Sequence, residues 1–181
     1  MENRFLFRGK RIDNGEWVKG NLIQSCDATD EWETIIIPVK NSNMFTKHIK
    51  HGYGNLGFEN WYRVDASTIC QCTDLRDKNG KLIWENDIVD FLGHKGTVVF
   101  ECGSFGIAYK APIDWNGIQA NIMPITGCEN RLYACGNDNY ISLWEIYWNF
   151  NDEDNSLNTV EVVGNALDNP ELLEGAANDN R

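Results

Sequence analysis

At 181 residues, with 42% hydrophobic and 12% aromatic side chains including seven Trp, the chain can bury the core of one large or two small domains. That composition belongs to a folded protein rather than a disordered one, and the size excludes a miniprotein that depends on disulfide staples. The net charge of −11 is unevenly spread: residues 1–60 carry eight basic and eight acidic groups, 61–100 five and six, and 101–181 three and thirteen. An acidic C-terminal part repels phosphate backbones, which disfavours general nucleic-acid binding.

No apolar run reaches the roughly 18 residues of a membrane span. Met1-Glu2-Asn3-Arg4 is not followed by an apolar segment of signal-peptide length, so a cytosolic, membrane-free protein is expected. The six cysteines (Cys26, Cys70, Cys72, Cys102, Cys128, Cys135) are irregularly spaced without a CxxC. They read as reduced thiols, with Cys70 and Cys72 on one face of a strand, in preference to a metal or redox site.

In chain order, Phe5 and Phe7 alternate with Arg4, Leu6 and Arg8, a strand period. Asp13-Asn14-Gly15 supplies a tight turn, and Trp17-Val18 and Leu22-Ile23 form the return strand of a hairpin. Thr34 to Val39 reads as a continuous buried strand that lies at an edge or ends at Pro38. Residues 40–58, rich in Gly, Asn, Lys and His, read as a long loop.

Ser67 to Thr73 reads as a strand, followed by a turn at Arg76 to Lys81 in which Asn79-Gly80 is the hairpin cue. Ile88–Leu92, Gly96–Glu101, Phe105–Tyr109 and Thr159–Gly164 complete five short strands. Polar, glycine-containing connections between them suggest a small closed barrel or sandwich. Tyr140 to Phe150 is apolar at both helical and strand spacings and stays unassigned. Asn151 to Asn155 reads as a solvated acidic loop lacking the ligand pattern of an EF-hand. One short C-terminal helix is signalled, with Asn169 as its cap, Pro170 in the first turn, Glu171 to Glu174 following, and Gly175 as its stop.

Four ordered blocks carry a resemblance. They are Phe7-Arg8-Gly9-Lys10-Arg11 with Glu16-Trp17-Val18-Lys19-Gly20; Val64-Asp65 and Thr68-Ile69 running into Leu75 to Ile83; Asp87-Ile88-Val89; and Glu161 to Asn165 with Asn169 to Leu173. Taken together the chain resembles the YopX family of small phage and prophage proteins over residues 4–39, 61–109 and 159–174. The residues themselves read as a mainly β fold with an N-terminal β-hairpin region (1–62), a second region (63–175) interrupted by an insertion (110–158), and a flexible tail (176–181). The resemblance implies an SH3-like small β-barrel for that second region, from about Ser67. It also implies a phage or prophage origin in a bacterial cytoplasm, self-association and no catalytic residue. No cofactor is expected. Three positions depart from the family, which usually has Gly where Cys70, Asp74 and Asn86 stand.

Asp77, Asn79, Gly80, Asn86, Asp87, Gly164, Asn165 and Pro170 read as turn-forming residues, because Asp and Asn bond backbone N–H groups nearby and Gly takes positive φ. His51 to Gly57 contains a formal GxGxxG, but no strand–helix context surrounds it, so it reads as a loop. His48 and His51 have no third ligand at zinc-like spacing and read as exposed loop residues. The basic and aromatic group Arg8, Lys10, Arg11, Trp17 and Lys19 is the candidate ligand site, suited to an anion or nucleotide. Its plainer alternative is a hairpin face that keeps an edge soluble. A protein partner or self-association is the first functional expectation, and sequestration of a small anionic nucleotide signal the second. A nucleic-acid partner and an enzyme come last.

Overall fold

The computed structural model describes residues 5–26, 32–39, 44–48, 54–101, 103–114, 139–150 and 156–174. They form two compact units, Met1–Cys72 and Thr73–Arg181. The division falls later than the expected boundary after Tyr62, because residues 62–72 are bonded to strands of the first unit.

In that unit the hairpin joins β1 (Phe7–Lys10) to β2 (Trp17–Cys26), with Lys10 opposite Trp17 and Arg8 opposite Lys19. Gly15 closes the turn at φ +72°, its N–H donating to the Arg11 carbonyl at 2.9 Å. β3 (Trp32–Ile37) pairs with β2 and stops before Pro38, which lacks the N–H that would continue the ladder. β6 (Tyr62–Arg63) pairs with β3, and Val64 bridges back to Arg11, so residues 62–64 are bonded on both sides. A 3-10 turn, Ala66–Thr68, then leads into β7 (Cys70–Asp77), whose first residues pair with β1. The strand expected from Ser67 therefore begins only at Cys70, because the Asp65 side chain accepts from Ser67 N–H and closes a turn first. Ile36, Val64, Cys70 and Cys72 are buried, and Gly9 lies against Val64 and Ile36.

Residues 40–58 correct the loop expectation. β4 (Met44–His48) and β5 (Gly54–Phe58) form a two-stranded antiparallel ladder with Met44 opposite Phe58. Glycine and polar residues hide the alternation that would have signalled it. His48 sits in this strand rather than in a loop, and the last four residues of the GxGxxG match are strand; His51 lies outside the described residues.

The second unit holds an antiparallel sheet in the order β12–β11–β10–β9–β14. These are β9 (Asp87–Phe91), β10 (His94–Glu101), β11 (Ser104–Ala108), β12 (Tyr140–Ser142) and β14 (Val160–Asn165). Beside it, the end of β7 pairs with β8 (Leu82–Trp84) and, in parallel, with β13 (Ser156–Leu157). The protein is thus mainly β, and among the described residues no pairing joins β12 to β14. Val89, Phe91, Val98, Ile107, Ile141 and Ile146 form its buried core.

The ambiguous stretch from Tyr140 resolves into β12 and then helix α1 (Leu143–Phe150), which turns Leu143 and Ile146 inward and leaves Trp144 exposed, stacked on Tyr147. Both periods were present because both structures are. The C-terminal helix proves to be a 3-10 turn, Pro170–Leu173. Four residues cannot close consecutive i→i+4 bonds, and Asn169 makes no side-chain cap. The acidic run 151–155, Gly175 and the tail lie outside the described residues, as do Cys128, Cys135 and most of the expected insertion.

Leu92 and Gly93 form the two-residue loop between β9 and β10, with φ +52° and +87°. Leucine is a poor fit to this left-handed position, and the residue is 41% exposed. Leu92→Asn should therefore raise stability by about 0.5–1 kcal/mol, visible as a higher urea midpoint at unchanged slope. A lowered midpoint would mean that the leucine side chain packs more than its exposure suggests.

Candidate functional site

Successive strand residues alternate faces, so the β1–β2 register places Arg8, Lys10, Trp17 and Lys19 on one face of the hairpin. The Arg8 guanidinium lies 4.9 Å from the Trp17 ring centroid and the Lys10 ammonium 5.5 Å from it, both within cation–π range. Lys19 is exposed beside them. Arg11 leaves this group. It leads into the turn, where its guanidinium stacks 4.2 Å from the Tyr62 centroid. Nε and Nη2 donate to the two Asp13 carboxylate oxygens at 2.9 and 2.5 Å, and Glu16 stands 3.9 Å from Nη1. The hydrogen bond to Asp13 raises the Arg11 pKa and lowers that of Asp13. Four of the five expected ligand residues thus converge, and the fifth occupies a neighbouring site.

That neighbouring site is an open cleft of about 700 Å³ whose polar lining includes Lys10, Arg11, Glu33, Arg63 and Asp65. Its volume is that of a small-molecule pocket. Arg63 pairs with Glu33, which stands on the adjoining strand. Asp65 caps the 3-10 turn, accepting from Ser67 N–H at 2.9 Å and Oγ–H at 2.7 Å, and these bonds hold its carboxyl below the ordinary carboxylate pKa. Glu33, Tyr62, Arg63 and Asp65 were missed in the sequence because only the pairing of β6 with β3 and of Val64 with Arg11 brings them together. The one local signal was Asp65 two residues before Ser67, a capping arrangement.

The turn residues build two polar knots in the second unit. In the first, Asp77 is 1% exposed and its Oδ1 accepts from Asn79 and Lys81 N–H, both at 2.9 Å, while Oδ2 accepts from Val162 N–H at 3.0 Å. Gly80 takes φ +78°, and Lys78 N–H donates to the Val160 carbonyl. On the surface above, Lys78 forms an ion pair with Glu161 at 2.6 Å, which raises the lysine pKa and lowers the glutamate one. In the second knot, Asp87, also 1% exposed, accepts from Trp84 N–H at 2.9 Å and from Asn165 Nδ2 at 3.3 Å. Asn86 holds φ +63°, and its carbonyl accepts from Ala166 N–H. Leu172, in the 3-10 turn that Pro170 opens, packs where a Cβ on Gly164 would stand, 2.6 Å away. The two knots pin β14 at its opposite ends. Asp74 holds φ +64°, so two of the positions where the family has Gly keep a left-handed backbone with the residue types that best tolerate it.

Among the described residues no three His, Cys, Asp or Glu side chains come together as a metal site. Burial of Glu145 in α1 raises its pKa, and burial likewise raises that of Tyr109. Neither belongs to the residues that line the cleft. The cleft can hold anionic groups through charge-assisted hydrogen bonds, and the hairpin face offers a flat aromatic surface framed by cations.

Fold and site together define a two-unit, mainly antiparallel β protein with a basic–aromatic N-terminal face. The chain belongs to the family described as YopX protein, whose match extends over residues 6–174. Among solved structures it is similar to the crystal structure of protein EF1440 from Enterococcus faecalis, at 19% identity and TM-score 0.43, covering 92% of this chain and 96% of that one. No curated protein matches. No helix is long and apolar enough to cross a membrane among the described residues.

Proposed function

We propose that this chain is a phage- or prophage-encoded accessory protein of the bacterial cytosol that works by binding, not catalysis. Its contact face is the β1–β2 hairpin, and its partner is another protein or a second copy of itself. One observation carries the reading: Arg8 and Lys10 both lie over the Trp17 ring, with Lys19 on the same face of the hairpin. Trp and Arg are the residues that most often dominate protein interfaces, since each desolvates a large surface at low entropic cost. The SH3-like character of residues 63–175 belongs to the same proposal, supported by the five-stranded antiparallel sheet and the tight turns that join β9 to β10 and β10 to β11.

Light scattering across a concentration series, with affinity capture from lysogenic cells, tests this reading. The wild-type chain should self-associate or retain a defined partner, and Trp17→Ala should weaken that association by about 2 kcal/mol, near thirtyfold. A monomer whose captured proteins are unchanged by Trp17→Ala would defeat it. The cleft favours a second reading, sequestration of a small anionic ligand, because Lys10, Arg11 and Arg63 line a volume suited to one.

A further inference from the structure

Both arginines of the cleft are occupied by carboxylates that solvent can reach. Arg11 is held by Asp13, whose side chain is 64% exposed, and Arg63 by Glu33, whose side chain is 45% exposed. Exposed ion pairs of this kind contribute little stability, because water and salt screen them and the long side chains lose freedom in forming them. The Arg11 guanidinium is better fixed, its side chain 23% exposed, whereas the Arg63 side chain is 58% exposed. Arg11 is packed flat on Tyr62, and the backbone on either side is tied by Ile12 N–H to the Arg63 carbonyl at 3.1 Å and Asp65 N–H to the Lys10 carbonyl at 2.9 Å. Weakly held carboxylates on guanidinium forks are easily exchanged for other anions of matching geometry.

We infer that the cleft binds a small molecule with two anionic groups, carboxylate or phosphate, which replaces Asp13 on Arg11 and Glu33 on Arg63. The inference rests on the anion-binding reading above and specifies how the ligand is taken. Lys10 supplies a further positive charge at the rim. Asp65 stays in place, because its carboxylate is committed to Ser67 and faces no arginine bond. The exchange removes two acidic competitors, so the protein's own carboxylates set the affinity and limit occupancy by singly charged ions.

Calorimetric titration of the full chain at low salt with inorganic pyrophosphate and, separately, with succinate tests the exchange and distinguishes phosphate from carboxylate ligands. Saturable binding of at least one probe is expected, with acetate far weaker. Arg11→Met and Arg63→Met should each weaken it about tenfold or more. Asp13→Asn and Glu33→Gln should each strengthen it by about two- to fivefold, a gain that misfolding cannot produce. Saturable binding indifferent to Asp13→Asn and Glu33→Gln, or weakened by them, overturns the exchange and leaves the sequestering reading standing. No saturable binding of either probe, in wild type or in the D13N/E33Q double variant, overturns both.

Discussion

Asp77→Ala is expected to cost about 3–5 kcal/mol, the largest loss of any single polar substitution in the second unit. The carboxylate is almost wholly buried and serves three backbone donors, two in its own turn and one, Val162 N–H, in a strand far along the chain. Removing it leaves those donors without an acceptor and opens a void at the start of β14. Asp77→Asn keeps the shape but turns an NH2 towards an N–H, and should cost about 2–3 kcal/mol. Urea unfolding followed by tryptophan fluorescence gives the stability change, and amide exchange at Val162 gives the local one. A cost below about 1 kcal/mol would show that the network is dispensable, contrary to the general penalty for unsatisfied buried donors.

Gly20→Ala should be comparably damaging, by about 3 kcal/mol, through sterics alone. A Cβ at Gly20 would stand 2.6 Å from the Ile37 carbonyl carbon and 2.8 Å from Pro38 Cα, and closer still to the Ile37 carbonyl oxygen. Backbone cannot rotate aside as a side chain can, so β2 and β3 would have to separate where Asn21 faces Ile37. Gly15→Ala makes the comparison. There the added Cβ meets nothing within 4 Å and the cost is conformational, at φ +72°, about 1 kcal/mol. Thermal unfolding of the two variants side by side should separate these causes. Equal losses would mean that the close approach at Gly20 relaxes freely.

If the hairpin is the contact face, Gly20→Ala should also weaken association, because it disturbs the register that carries Trp17 and Lys19. Asp77→Ala acts within the second unit and should leave association intact at temperatures where the protein remains folded. The two variants therefore separate loss of the contact face from general loss of stability.

Much of the candidate face was legible in the sequence. Asp13-Asn14-Gly15 fixes the turn, the turn fixes the register, and the period of two then places Arg8, Lys10, Trp17 and Lys19 together. Each step is local. Arg11 broke the pattern because it lies at the end of the ladder, where the chain turns and Asp13 comes within reach of its guanidinium. The β4–β5 ladder was hidden because Gly-rich strands carry little apolar alternation. Tyr140 to Phe150 was hidden for the opposite reason, since a strand passing directly into a helix superimposes two periods on one apolar run.

By itself the sequence determined the local grammar: where Asp, Asn and Gly turn the backbone, which short segments extend, which face of the first hairpin is basic, and, through ordered blocks, the family. Only the tertiary structure decided that Asp77 reaches Val162, that Asp87 meets Asn165, that Arg63 joins Arg11 around one cleft, and that β9 lies between β10 and β14. Hydrogen-bonding preferences and side-chain periodicity act over a few residues and are written in neighbouring letters. Contacts between residues tens of positions apart depend on how whole strands pair, and many different spacings can encode the same pairing.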